Sequence, residues 1–120
     1  MEIEIFDRTG RVIGWITSDQ DIFIQGNHYV GFIERNEVFN VKGTYLGEFE
    51  DGFFWDRHGH AVAFVDGSHV GPATPVTHIG PITPVRPVLP IRPITPVTPV
   101  SPVHSMAWSS LTFSIFLSSP

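Results

Sequence analysis

Short apolar runs alternate with polar turns from Ile3 to Val65, and the same unit is written four times. Gly10-Arg11-Val12-Ile13-Gly14-Trp15-Ile16 recurs as Gly26-Asn27-His28-Tyr29-Val30-Gly31-Phe32-Ile33, as Gly43-Thr44-Tyr45-Leu46-Gly47-Glu48-Phe49 and as Gly59-His60-Ala61-Val62-Ala63-Phe64-Val65, so the leading glycines are almost evenly spaced. A repeat of this kind signals an architecture and governs every later reading. Residues 3–6 alternate and then meet Asp7-Arg8-Thr9-Gly10, a turn whose glycine is free to take a positive φ; the chain returns through residues 11–16, which predicts a hairpin. Three more hairpins follow by the same logic, over 22–33 turning near Gln25-Gly26-Asn27, over 38–49 turning near Val41-Lys42-Gly43, and over 53–65 turning at Asp56-Arg57-His58-Gly59. The links between them are short and acidic, and no helix-period segment interrupts the chain before Pro72.

Within each returning strand a second glycine, at 14, 31 and 47 with Ala63 in the fourth copy, stands where a side chain would pack. Glycine inside a strand marks a bend, a bulge or a close backbone approach, and four equally spaced positions suggest approach to a common axis. Period 2 puts Val12, Gly14 and Ile16 on one face and Ile13 and Trp15 on the other, and so through the repeats. Both faces are largely apolar, too much for a sheet covered on one side only. Four tandem hairpins at this regular spacing, each with a Gly-x-x-x-Gly-x-Ile-like return, resemble the 4-fold β-flower domain over residues 1–70. The resemblance implies an all-β fold, four pseudo-symmetric hairpins in a shallow, flower-like or barrel-like sheet, and no catalytic residues. Larger β-flowers are compared in shape with Tubby-like and scramblase-like lipid-associated domains, a likeness of fold.

From residue 71 the pattern changes. Prolines fall at 72, 75, 81, 84, 87, 90, 93, 96, 99 and 102, all in one phase of three, with His78 in the single missed place. Polyproline II has three residues per turn, so the phase makes one ridge of proline, a second of β-branched residues such as Val85, Val88, Ile91, Ile94 and Val97, and a third, mostly polar, that includes Arg86, Leu89, Arg92, Thr95, Thr98 and His104. Residues 71–104 therefore read as a three-faced rod rather than a random linker, the alternative being a disordered tail or a simple spacer without a partner. In residues 105–120 the alternation of Leu111, Phe113, Ile115 and Leu117 with Thr112, Ser114, Phe116 and Ser118 predicts one strand, too short to span a bilayer as a helix.

All twelve acidic residues and five of the seven Lys and Arg lie within residues 1–71, leaving that part seven charges negative and the remainder positive by Arg86 and Arg92. Such a charge repels phosphate backbones and anionic headgroups, which excludes nucleic acid as a partner and disfavours membranes except through an interfacial contact by Trp108 to Leu117. There is no cysteine. A core of about 70 residues must then be stabilised by packing, closure of the sheet or self-association. The start of the chain has neither the basic residues nor the apolar run of a secretory signal, so the expected location is cytoplasmic.

Candidate chemistry is sparse. Asp7-Arg8 and Asp56-Arg57-His58 place a carboxylate beside a cation, but their repetition in one kind of turn reads as structural, Asp opening the turn through its side chain. His58, His60 and His69 lack any recognisable metal-ligand spacing, and no serine stands in a nucleophile or phosphate-loop context. Neither cofactor nor metal is expected, and the chain reads as non-enzymatic. The positions after the second glycine, Trp15, Phe32, Glu48 and Phe64, would form a ring in a fourfold arrangement: core, an oligomer contact, or a shallow pocket for an apolar or cationic ligand. In the tail, Arg86, Pro87, Pro90, Arg92 and Pro93 form the expected partner-binding segment, the prolines docking in an aromatic groove and the arginines fixing orientation. Its near-identical triplets suit multivalent engagement of a protein partner or of a second copy.

Overall fold

A computed structural model describes residues 2–67, 71–80, 85–98 and 102–118. The four hairpins form where the repeats place them: β1 (Ile3–Phe6) with β2 (Val12–Ile16), β3 (Asp21–Ile24) with β4 (His28–Glu34), β5 (Glu37–Asn40) with β6 (Tyr45–Glu50), and β7 (Phe53–Trp55) with β8 (Ala61–Phe64). They close into one antiparallel up-and-down barrel, sealed between β8 and β1 by the single pair Phe64 with Phe6. Closure leaves no exposed sheet edge and gives a short chain an interior.

The return strands depart from strict alternation. Opposite each adjacent pair Ile5–Phe6, Ile22–Phe23, Val38–Phe39 and Phe54–Trp55, the partner strand steps by two, from Gly14 to Val12, Gly31 to Tyr29, Gly47 to Tyr45 and Ala63 to Ala61. The extra residue of each bulge, Ile13, Val30, Leu46 or Val62, packs with the interior cluster of Ile5, Ile16, Ile22, Ile33, Val38 and Phe54. Val12, Tyr29, Tyr45 and Ala61 are thereby moved to the outer face with Trp15, Phe32 and Phe64, so the two-residue period misplaces two adjacent residues per repeat. The repeated glycines do not approach a common axis. A Cβ on Gly14, Gly31 or Gly47 would overlap the carbonyl oxygen of Phe23, Phe39 or Trp55 on the next strand, so each glycine permits lateral crossing of hairpin on hairpin. Ala63 is tolerated at the seam, where only one pair joins the strands.

The tail is no separate rod. Its described residues between Val76 and Val103 lie around the barrel, in step with the hairpin turns. The carbonyls of Val76, Ile94 and Val103 lie against Gly10, Gly43 and Gly59, and Asn27 Nδ2 donates to the Val85 carbonyl at 2.8 Å in the second turn. Positions 76, 85, 94 and 103 are evenly spaced, three Pro-x-x triplets for every hairpin. At ~3.1 Å per residue, a step of about nine residues spans about 28 Å, and four such steps would close a ring about 36 Å across; the molecule measures 36 × 36 × 22 Å.

Beyond the ring, Trp108 bridges Ala61 in parallel, and a short helix α1 (Phe113–Leu117) crosses the turn end of the barrel. The predicted strand over 111–117 is therefore a helix. Over so few residues the apolar pattern fits both periods, and two local facts decide: Thr112 Oγ1 accepts from Ile115 N at 3.2 Å as N-cap, and Phe113, Phe116 and Leu117 fall on one helical face that enters the interior cluster. Phe113 meets Phe54 edge-on, with ring centres 5.1 Å apart. Among the described residues, no helix is long and apolar enough to cross a membrane.

Candidate functional site

The surface on which the tail lies is aromatic and acidic, and that combination dictates which ridge of the tail turns inward. Phe6, Trp15, Phe23, Phe32, Phe39, Trp55 and Phe64 are buried, with Glu2, Asp21, Glu34, Glu37, Glu48 and Glu50 beside the tail's inward side chains. A cation satisfies both features at once, by ion pairing and by attraction to ring faces. The Arg86 guanidinium donates from Nη2 to Glu2 Oε1 at 2.7 Å and from Nη1 to Asn27 Oδ1 at 2.7 Å, and its carbon stands 4.9 Å from the Trp15 ring centre and 4.5 Å from that of Phe23. Arg92 donates to Asp21 Oδ1 at 3.0 Å and to the Asp19 carbonyl, lies 3.6 Å from Glu34, and covers Phe32 at 5.0 Å. Thr98 donates to Glu37. His104 stacks on Trp55 with ring centres 4.2 Å apart and planes 5° from parallel, its Nε2 2.8 Å from Glu48 Oε1 and its Nδ1 3.8 Å from Glu50. Arg86 and His104 are separated by two steps of the tail and occupy equivalent sockets two repeats apart.

Of the residues singled out in the sequence, Trp15, Phe32 and Phe64 stand on the outer face, buried, and Glu48 is held by His104. Trp15 and Phe32 lie under Arg86 and Arg92, and Phe64 packs on Phe6 and Trp108. The four are distributed around the barrel beneath the tail. Trp15 Nε1 is buried with no hydrogen-bond partner among the described residues. Pro87 and Pro90 are exposed and Pro93 half-buried, but Arg86 and Arg92 point onto the outer wall of the barrel, where both are ion-paired. The second ridge faces solvent: Val85, Val88, Ile91, Ile94 and Val97 are 92%, 100%, 97%, 98% and 100% exposed. The rod thus turns its polar ridge in and its aliphatic ridge out.

Asp7 and Asp56 do the turn-forming work expected of them. Asp7 Oδ1 accepts from Thr9 N, Thr9 Oγ1 and Arg11 N, and Asp56 Oδ1 from His58 N and His60 N. Asp56 Oδ2 also accepts from buried Ser109 Oγ at 2.6 Å, tying the C-terminal segment to the fourth turn. Burial works against ionisation of Asp56, but the hydrogen bonds from Ser109, His60 and His58 outweigh it and hold the carboxyl below its usual range. Burial and the neighbouring Asp21 carboxylate push the Tyr29 hydroxyl up to about 12. His58 and His60 take part through their backbone, while His69 lies outside the described residues. What sequence reasoning missed is the grouping of Glu48, Glu50 and His104, whose potential ligand atoms lie within 4.8 Å of one another. Glu48 and Glu50 are visibly on one strand face, but only the regular step of the tail brings His104 between them.

A family model described as 4-fold beta flower protein matches residues 3–117, tail and terminal helix included, rather than the hairpins alone. No curated protein and no solved structure matches the chain.

Proposed function

The chain belongs to the 4-fold beta flower family, and on that footing we propose that it is a non-catalytic binding and scaffolding module that associates through the outward ridge of its encircling tail. The observation that carries the reading is the row Val85, Val88, Ile91, Ile94 and Val97, each at least 92% exposed on a segment anchored from beneath by Arg86, Arg92, Thr98 and His104. Aliphatic side chains held out in this way lose little conformational freedom on docking, because the anchors have already ordered the backbone. Large exposed apolar surface on a small domain marks an interaction site. The partner favoured first is a second copy, since every copy carries the same belt. Arg86 and Arg92 act as internal anchors in this reading and do not orient the partner.

The test is sedimentation velocity of the full chain over a wide concentration range, beside the variant Val88→Asp/Ile91→Asp/Ile94→Asp. These three side chains touch little of the barrel, so the variant keeps its melting temperature. Wild-type association that the variant loses supports the reading; a wild type that stays monomeric at high concentration rejects self-association.

A further inference from the structure

In a closed up-and-down barrel every hairpin turn lies at one end and every link at the other, and this sorts the charges. Arg8, Arg11, Lys42 and Arg57 belong to the turns, whereas Asp19, Glu34, Glu50, Asp51 and Asp66 stand at or beside the links, where Arg35 is the lone cation among them. The turn end is therefore locally basic on a protein that is acidic overall. Its carboxylates Asp7 and Asp56 are engaged by hydrogen bonds of their own turns and by Ser109.

Helix α1 lies across this end without filling it. Between the helix, the first two turns and β8 runs a cleft of about 580 Å3 whose floor is Ile13, Ile24, Val62, Leu111 and Phe113, with exposed Arg8 and Arg11 on its rim. Neither guanidinium donates a hydrogen bond or forms an ion pair among the described residues, although Arg11 feels the charge of Asp7. A second cleft of about 490 Å3 lies on the other side of the helix, beside Ile24 and Ser114, with Lys42 on its rim. A cleft with an apolar floor and two uncommitted cations on its rim suits an acyl chain with a negative head. We propose that this cleft binds the anion of a fatty acid, the chain on Ile13, Ile24 and Phe113 and the carboxylate at Arg8 and Arg11.

Dodecanoate, a soluble member of the class, is titrated into the full-length protein by calorimetry, with dodecanol as its uncharged counterpart. The expected result is saturable one-to-one binding of dodecanoate, weaker for dodecanol by about tenfold or more, since a charge-assisted contact is lost. Arg8→Glu/Arg11→Glu, both on exposed side chains, should lose affinity for dodecanoate by at least as much while binding dodecanol as before. Ser110→Trp, at an exposed position on the cleft wall, should abolish both. Melting curves establish that each variant is folded. No saturable binding by folded wild type, equal affinity for the two ligands, unchanged binding by folded Ser110→Trp, or binding to phosphatidylglycerol vesicles without binding to dodecanoate would each overturn the proposal.

Discussion

Arg86 shows how much one side chain decides. It is the tail's first cation, it pairs with Glu2 and Asn27, and it covers two rings. Replacing it by methionine keeps most of the stem but leaves Glu2 without its partner and Trp15 without its cover. The expected loss is about 2–4 kcal/mol, read from urea midpoints, whereas replacing exposed Arg35 should cost under about 0.5 kcal/mol. Gly47 makes the opposite point: Gly47→Ala should destabilise by about 2 kcal/mol or more, because the clash is with the Trp55 carbonyl, which belongs to the backbone and cannot swing aside. Ala63→Gly should cost only about 1 kcal/mol, the usual penalty of extra backbone freedom. Asp56 gives a pH signature. Its folded pKa is depressed, so its contribution is present above the unfolded value near 3.8 and is lost as pH falls through the folded value. Melting temperatures followed from pH 6 down to pH 3 should therefore fall more steeply for wild type than for Asp56→Asn.

Among the elements, the hairpins were legible because their signals are local: turn residues, alternation and the even spacing of Gly10, Gly26, Gly43 and Gly59. The bulges were not, since alternation carries no mark of where a strand takes in an extra residue; the Gly-x-x-x-Gly frame around Ile13 and Leu46 was the only hint. Helix α1 departs from the strand expected there because so short an apolar stretch satisfies either period, and the open barrel mouth chooses the one that puts Phe113, Phe116 and Leu117 on a single face. Thr112→Ala removes the cap and should cost about 1 kcal/mol. The loss should appear as increased binding of a hydrophobic dye, as Phe54 and Val62 become accessible beneath a fraying helix.

At the scale of the whole molecule, two periods are matched, that of the hairpins around the barrel and that of the triplets along the tail. A phase of three makes the rod's faces, but three triplets to each hairpin make the register. Deleting one triplet, Val88-Leu89-Pro90, preserves the phase of three while drawing His104 off Trp55 and away from Glu48. Thermal unfolding of that deletion should begin at a markedly lower temperature than wild type, with Trp55 becoming solvent-exposed by fluorescence; if the rod were a simple spacer, the melting temperature would not move. The ring of Trp15, Phe32, Glu48 and Phe64 was likewise picked out as a set by the repeat, and what lies over it came from Arg86, Arg92, His104 and Trp108, far along the chain.

Turn chemistry, strand number, fourfold repetition and the three ridges of the tail are short-range properties, written in neighbouring residues and readable there. Which ridge faces inward is a long-range property. Hydrophobicity alone would bury Val and Ile, but the barrel offers rings with carboxylates beside them. Leaving those carboxylates unpaired under a covering chain would cost more than exposing aliphatic side chains to water. The inward place therefore goes to Arg86, Arg92 and His104, and an apolar belt is left outside. Barrel closure brings together the acidic and aromatic surface that makes that choice, and no segment of the chain contains it alone.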